Sequence, residues 1–247
     1  MRTALVVGGA NGIGLSIATE LANRDDYKKV YILDKAQLDN LVMNEKFEYV
    51  QFDLTSQDFS VFDSFDDVDT LMITAGFGRL ALFEDLDEQH IVNIINVNTI
   101  AVIRVIHHFY HKIKSDKDFR CGVMVSIAGF MTSPFFSVYG ATKAALKIFI
   151  ESVNAELTKA GVENRILNVS PGAIKGTSFN DEKTDLGLTQ NLAREIIDKL
   201  NSKEDLFIPQ YEEIYKTVLA RYQADFRAEG LHSYDYKLNS GRLKKNK

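Results

Sequence analysis

Three side chains in the middle of the chain could together move a proton. Ser126 follows a short apolar run, and Tyr139 and Lys143 are four positions apart, so in a helix they would point to one face. A phenol with a pKa of about 10 is a poor acid–base group at neutral pH, but a neighbouring ammonium group favours the phenolate. Such a tyrosine can exchange a proton with a carbinol or carbonyl oxygen. Taken alone, the pair is equally an ordinary surface pair.

A glycine cluster near the start of the chain could hold a diphosphate. Residues 8–14 read GGANGIG and lie between the first predicted strand and the first predicted helix. Glycines let backbone N–H groups approach a diphosphate, and a helix N-terminus adds partial positive charge. Asp34 ends the second predicted strand, where its carboxylate would accept from ribose hydroxyls and repel a 2′-phosphate. This favours NAD over NADP; the alternatives are a simple turn and a solvated strand-end carboxylate.

Short β-branched runs alternate with helical patterns along most of the chain. This alternation predicts an α/β fold, a doubly wound parallel sheet of the Rossmann type with three α/β/α layers and six or seven strands. The predicted strands are 3–8, 30–34, 48–52, 70–74, 122–126 and 165–170, with 206–209 as a short seventh. The predicted helices are 13–24, 87–114 and 138–160, with shorter pieces at 36–43 and 58–65 and an aromatic helix from Pro209 to before Gly230.

Composition limits the classes of function. The chain has 247 residues, a net charge of -5 and one cysteine, so we expect no nucleic-acid partner and no disulfide framework. No signal peptide and no uninterrupted apolar run of about 20 residues is recognised, which predicts a cytoplasmic protein without a membrane span. His107, His108 and His111 lack a third ligand type nearby, so we interpret them as part of a packed helix and predict no metal site.

The order and spacing of these motifs resemble the short-chain dehydrogenase/reductase family, in its compact single-domain branch, over residues 3–177. The resemblance implies a catalytic tetrad: Ser126 orients the substrate oxygen, Tyr139 is the acid–base group, Lys143 tunes it, and Asn98 holds a water in the relay. Thr74 replaces the family's asparagine in the turn before Ala75 and Gly76. The implied cofactor-binding residues are Gly8, Asn11, Gly12, Ile13, Gly14, Asp34, Asp53, Leu54, Ala75, Gly76, Tyr139, Lys143, Pro171, Gly172, Ile174 and Thr177.

The resemblance implies an NAD(H)-dependent oxidoreductase that interconverts a small-molecule alcohol and a ketone or aldehyde. Two alternatives stay open: an NADPH-dependent carbonyl reductase, in which Asp34 is a bystander beside Lys35, and a dinucleotide-sensing regulatory protein without turnover. By analogy, a homodimer would form through helices 87–114 and 138–160. We expect one domain, with a cofactor and catalytic core at 1–177, substrate-side helices at 178–230 and a mobile polar tail at 231–247. An apolar substrate wall is hypothesised from Phe130, Met131, Phe135, Phe136 and Phe179.

Overall fold

The fold is built on one parallel sheet. A computed structural model describes residues 1–39, 42, 44–177, 179 and 183–240. Its seven strands lie in the order β3-β2-β1-β4-β5-β6-β7, and every neighbouring pair is parallel. The predicted doubly wound fold class is confirmed, including the short seventh strand. The strands are β1 (Arg2–Val7), β2 (Tyr27–Asp34), β3 (Phe47–Gln51), β4 (Thr70–Ile73), β5 (Arg120–Met124), β6 (Ile166–Val169) and β7 (Leu206–Phe207).

Helices cover both faces of the sheet. They are α1 (Gly12–Ala22), α2 (Glu88–Ile95), α3 (Val102–Ile113), α4 (Ser137–Lys159), α5 (Leu186–Asn201), α6 (Lys216–Ala224) and α7 (Phe226–Asn239). A π-helical turn, Asn96–Ala101, joins α2 to α3, and a second one, Tyr211–Tyr215, precedes α6. Shorter 3₁₀ turns occur at Ser60–Ser64, Phe83–Asp85 and Ile127–Gly129.

The period of two in β1 divides the core into two apolar layers. Leu5 and Val7 belong to the layer that α3 and α4 cover, whereas Ala4 and Val6 belong to the layer under α1 and α5. All four residues are fully buried. Because a strand buried on both faces gains nothing from polar residues, its sequence reads as a continuous apolar run.

Two sequence predictions of helices need correction. Helix α5 lies within the stretch 178–230 that was predicted to hold substrate-side helices, but the sequence analysis gave no bounds for it. Asp185 caps its first turn through Gly187 N–H at 2.9 Å, and the helix packs on the sheet through Ile196 and Ile197. The short helix predicted at 36–43 is wrong for the residues that the structure describes there, 36–39 and 42, which are not helical. Residues 40, 41 and 43 lie outside the described residues. The piece predicted at 58–65 is the 3₁₀ turn.

The end of the chain also differs from the sequence prediction. The predicted single aromatic helix is broken at Asp225, whose side chain caps α7 through two backbone N–H groups. Gly230 does not end the helix; it lies inside α7, where a side chain would approach the Thr132 hydroxyl at 3.2 Å. A glycine is therefore used there for close packing, and part of the predicted tail is helical. Residues 241–247 of that tail lie outside the described residues.

One described helix, Glu88–Ile113, is long and apolar enough to cross a membrane when judged by length and composition alone. Its second half is anchored in the protein, because Val105, Ile106 and Phe109 are buried against the sheet. Length and composition are weak evidence for a membrane span, since a helix that covers a sheet meets the same criteria.

Candidate active site

A cavity of about 780 Å³ opens at the carboxyl ends of the strands. Strands β2 and β3 lie on one side of β1, and β4 and β5 lie on its other side, so the strand order reverses between β1 and β4. Doubly wound sheets bind ligands at such a reversal. All the predicted cofactor-binding residues line this one cavity, as do Ser126, Tyr139 and Lys143. Asn98 does not line it and acts through neighbours.

The glycine loop closes tightly on the turn after β4. Gly8 has a φ of +85°, and a side chain there would collide with the backbone of Ala75. A side chain at Gly14 would collide with the Gly8 carbonyl oxygen and with Thr74. The Thr74 hydroxyl donates to the carbonyl oxygens of Val7 (3.1 Å) and Gly8 (2.9 Å). Threonine therefore ties the loop to β4 at the position where the resembling family has asparagine.

The N-terminus of α1 lines the cavity. Asn11 precedes the helix, and the first turn carries no acidic residue. The Gly12 N–H donates to the Thr184 hydroxyl at 2.8 Å. Thr177 lies beside the same loop and donates its hydroxyl to the Ile174 carbonyl oxygen at 2.9 Å. A helix N-terminus without an acidic residue in its first turn suits an anionic group such as a diphosphate.

Asp34 stands at the end of β2 beside this loop. Its Oδ2 accepts from the Ala10 N–H and its Oδ1 from the Ala36 N–H, each at 3.0 Å. Lys35 and Asp53 line the same part of the cavity. The pKa of Asp53 is lowered, chiefly because its carboxylate accepts from the Thr55 N–H, with a smaller contribution from Lys35. The backbone thus fixes the orientation of the Asp34 carboxylate at the cavity wall.

Ser126 and Tyr139 form the reactive pair of the cavity wall. Ser126 follows β5, and its hydroxyl accepts from the Ala128 N–H at 3.1 Å. Burial raises the pKa of Tyr139 to about 12, and a hydrogen bond with Ser126 opposes that rise. The phenol is therefore protonated at neutral pH in the protein alone. A protonated phenol can donate to a carbonyl oxygen, which is the protonation state that carbonyl reduction needs.

Lys143 lies one turn further along α4 and is almost fully buried. Its ammonium group donates to the Met124 carbonyl oxygen at 2.8 Å and lies 5.7 Å from the centre of the Tyr139 ring. A side chain added at Gly76 would stand 3.3 Å from the Lys143 Nζ. Burial lowers the pKa of Lys143 to about 8. The cation is thus close enough to stabilise a phenolate at Tyr139.

Asn98 lies in the π-helical turn and is fully buried. Its Oδ1 accepts from the Phe77 N–H at 3.0 Å, and its Nδ2 donates to the Phe77 carbonyl oxygen at 2.8 Å and to the Thr142 hydroxyl at 3.3 Å. The side chain therefore connects the segment after β4 to α4, beside Lys143. Single π turns recur where a helix residue is redirected for function.

The buried Lys143 makes the stability of the fold depend on pH. Its pKa of about 8 in the fold is below the 10.5 of the free side chain, so the unfolded chain binds more protons between these values and stability rises with pH there. We expect the stability advantage of Lys143→Met over the wild type to shrink by as much as about 3 kcal/mol from pH 7 to pH 10. Denaturant unfolding at both values measures it; a constant difference would contradict the buried cation.

The segment after β6 forms another part of the cavity wall. Pro171 and Gly172 line it, and the Tyr215 hydroxyl lies directly against Gly172, leaving no room for a side chain. Burial raises the pKa of the Tyr215 phenol. Of the aromatic residues in the helix predicted after Pro209, Tyr215 therefore contributes to the cavity wall.

Aromatic rings surround the reactive tyrosine. The ring of Phe136 is 5.3 Å and that of Phe179 is 5.2 Å from the Tyr139 ring. Of the hypothesised apolar wall, Met131, Phe136 and Phe179 line the cavity. Phe130 and Phe135 are not among its lining residues: Phe130 lies under the Lys147 ammonium group, and Phe135 packs on Tyr234. Three of the five residues of the hypothesised apolar wall thus line the cavity.

Sequence reasoning missed a polar group of cavity residues on α6 and α7. They are Arg221, Glu229, His232, Ser233, Tyr236 and Lys237. Because Gly230 was predicted to end the helix, the residues that follow it were not placed on one helix face with Glu229. The signal that could have found them is their spacing, because Glu229, Ser233 and Lys237 repeat every four residues.

The comparisons with known proteins agree with this architecture. Residues 2–186 match the short chain dehydrogenase family. An uncharacterized oxidoreductase of Saccharomyces cerevisiae is 27% identical over 197 residues, which are 74% of this chain but only 63% of the yeast protein. Retinol dehydrogenase 8 of Bos taurus is 26% identical over 231 residues, covering 88% of this chain and 73% of the bovine protein.

A solved short chain dehydrogenase from Burkholderia cenocepacia, in complex with NADP, shares the fold. Its TM-score is 0.76 at 22% identity, with 94% of this chain and 99% of that chain covered. The fold and the cavity are those of a Rossmann-type oxidoreductase. The family match over most of the chain shows that it belongs to the short chain dehydrogenase family.

Proposed function

We propose that this protein is an NAD(H)-dependent oxidoreductase that interconverts a small-molecule alcohol and its ketone or aldehyde. One observation carries the proposal: Ser126, Tyr139 and Lys143 lie on the wall of the same cavity that the glycine loop and Asp34 enter. Proton-transfer groups and a diphosphate cradle in one cavity serve no purpose in a protein that only binds a dinucleotide. This disfavours the sensor alternative.

The residues present fit a nicotinamide dinucleotide. The glycine loop leaves no room for side chains at Gly8 and Gly14, and the N-terminus of α1 offers backbone donors for the diphosphate. Asp34 would accept from the adenosine ribose, and Lys143 would contact the second ribose. When bound, the cofactor supplies or accepts the hydride.

The chain itself supplies position and proton transfer. In reduction, the Ser126 hydroxyl and the Tyr139 phenol hold the carbonyl oxygen, and Tyr139 gives its proton to that oxygen as the alcohol forms. In oxidation the proton moves back to Tyr139. The Lys143 cation stabilises the phenolate left after donation, and the Asn98 amide keeps the neighbouring backbone in place. The name of the bovine relative, retinol dehydrogenase 8, supports an alcohol as one member of the substrate pair.

A second candidate is an NADPH-dependent reductase of the same fold. It is favoured by Lys35, which lines the cavity next to Asp34, and by the NADP bound in the solved relative. We prefer NAD because Asp34 is held by two backbone N–H groups toward the ribose position, and a fixed carboxylate repels a 2′-phosphate.

The function is tested with the purified protein in two steps. Calorimetric titration with NADH and NADPH measures cofactor binding, and absorbance of the reduced cofactor then follows turnover of a panel of apolar ketones, aldehydes and sugars. We expect tighter binding of NADH and oxidation of NADH by at least one carbonyl class. Tight dinucleotide binding with no turnover of any panel member would instead support the sensor alternative.

We also propose a homodimer through α2, α3 and α4. Helix α4 contacts both α2 and the π-helical turn, and their outer surface exposes Val92, Ile95, Ile100 and Ile148. Several exposed apolar side chains on helices that contact each other support an interface here.

Placing a charge in that surface should separate the subunits. We expect a dimeric mass for the wild type and a monomeric mass for Ile148→Glu, because an unpaired buried carboxylate is costly. Leu231→Glu, at an equally exposed leucine of α7, is the control and should stay dimeric. Light scattering after size exclusion gives the masses; a monomeric wild type would refute the dimer.

A further inference from the structure

Helix α7 presents its polar face to the interior. Glu229 and Lys237 are 6% and 8% exposed, whereas Leu231 and Leu238 on the same helix are 67% and 53% exposed. A helix that packs on a protein normally buries its apolar face, and buried charges are costly unless they are paired. The inward face, Glu229, Ser233 and Lys237, lines the cavity. Its polarity therefore points to what the cavity holds.

Glu229 on this face forms an ion pair with Arg221 of α6; the carboxylate is buried, whereas the Arg221 side chain is 47% exposed. The Arg221 Nε donates to Glu229 Oε2 at 2.6 Å, and Arg221 Nη2 donates to Oε1 at 2.9 Å. His232 Nδ1 is 3.8 Å from the same Oε1. A carboxylate has about four acceptor sites, and the guanidinium fork uses two of them. Both partners line the cavity, so a ligand group could still donate to Glu229 and accept from Arg221.

A purely structural role does not account for the pair. It joins α6 to α7, but joining two helices does not require a carboxylate to be buried at a cavity wall, where an ionised group is costly. Lys237 already fixes α7 to the loop before α4, since its Nζ donates to the Ser133 hydroxyl and to the Pro134 carbonyl oxygen, each at 2.8 Å.

The two parts of the cavity differ in chemistry. Around Tyr139 the wall is aromatic, with Phe136 and Phe179 against the phenol ring. On α6 and α7 the wall carries charges of both signs. The Glu229 carboxylate disfavours an anionic ligand group and the Arg221 guanidinium disfavours a cationic one. A neutral hydroxyl group satisfies both, because it donates and accepts at once.

We propose that Arg221 and Glu229 determine substrate specificity by binding a neutral hydroxyl group that the substrate carries apart from its reacting carbon. The substrate class is thus an apolar alcohol or ketone with a second hydroxyl. This inference rests on the proposed function, because the reacting carbon is taken to lie at Tyr139.

The test uses methyl ketones of equal chain length that end in a methyl, a hydroxyl or a carboxylate group. With the wild type and NADH, kcat/KM should be highest for the hydroxyl-ended ketone, by about tenfold or more over the methyl-ended one, as for a hydrogen bond to a charged group. In Glu229→Gln, which keeps the side-chain shape, this preference should fall to about twofold or less. Arg221→Lys, which removes the fork, should lower it as well and serves if Glu229→Gln does not fold.

Glu212→Gln is the matched control. Glu212 pairs with Lys216 at 2.8 Å on the exposed surface, so this variant removes a similar ion pair away from the cavity and should keep the wild-type preference. Equal kcat/KM for the three ketones, a preference for the carboxylate, or a hydroxyl preference that survives in Glu229→Gln would overturn the inference.

Calorimetry separates this inference from the proposed function. If no ketone is reduced, the proposed function fails, and binding of the same three ketones to the protein still decides the inference. Tighter binding of the hydroxyl-ended ketone to the wild type, lost in Glu229→Gln, supports the hydroxyl site; equal binding of all three refutes it.

Discussion

Replacing Tyr139 by phenylalanine should abolish turnover while leaving the cofactor site intact. The substitution removes only the hydroxyl group, which is the atom that exchanges the proton. General acid–base groups contribute about 10²- to 10⁴-fold to rate, so we expect kcat/KM to fall by that factor. The ring remains between Phe136 and Phe179, so the apolar wall is kept, and the calorimetric affinity for NADH should be nearly unchanged.

Tyr110→Phe provides the control for this variant. Tyr110 lies on α3 and is partly buried against the core. It does not line the cavity. Removing its hydroxyl should leave kcat/KM at the wild-type value. Substantial turnover by Tyr139→Phe would show that another group moves the proton.

Asp34→Asn should reduce the preference for NADH over NADPH. Asparagine keeps an oxygen that can accept from the Ala10 N–H, which Asp34 accepts at 3.0 Å, but it carries no charge. Two charges about 4 Å apart interact by about 4 kcal/mol near a protein surface and by about 1 kcal/mol in water. Removing the repulsion of the 2′-phosphate should therefore shift the ratio of the two dissociation constants by about 10- to 100-fold toward NADPH.

The neighbouring carboxylate tests whether this shift is local. Asp53 lines the same part of the cavity, and its Oδ1 is bound by the Thr55 N–H and hydroxyl, each at 2.9 Å. Asp53→Asn removes the same charge, but we expect it to change the affinities for NADH and NADPH alike. A wild type that binds NADPH more tightly than NADH would refute the role assigned to Asp34 and favour the NADPH-dependent alternative.

The sheet and the residues around the dinucleotide cradle could be predicted from sequence because their signals are local. A strand buried on both faces, such as β1, must be continuously apolar, and the glycines of residues 8–14 mark a turn that no other residue type fits. The positions of Tyr139 and Lys143 on one helix face follow from helical periodicity. Their burial, which moves their pKa values in opposite directions, required the structure.

The cavity wall from α6 and α7 could not be predicted, because its elements violate the local patterns. Glycine commonly ends a helix, but Gly230 lies inside α7, where the missing side chain permits close contact with Thr132. Leu231 faces outward and Glu229 inward, the reverse of an ordinary amphipathic helix. Tertiary packing decided this orientation, and the sequence shows it only as a polar residue at every fourth position from Glu229.

Hydride transfer is the central claim, and a labelled cofactor tests it most directly. NADH deuterated at C4 of the nicotinamide is incubated with the wild type and a carbonyl compound of the panel that the wild type reduces. The alcohol product is then examined by mass spectrometry. We predict deuterium on the carbinol carbon of the product from the wild type, and formation of labelled alcohol at least about 100-fold slower with Tyr139→Phe. Alcohol formed without deuterium when both C4 positions carry the label would contradict the account.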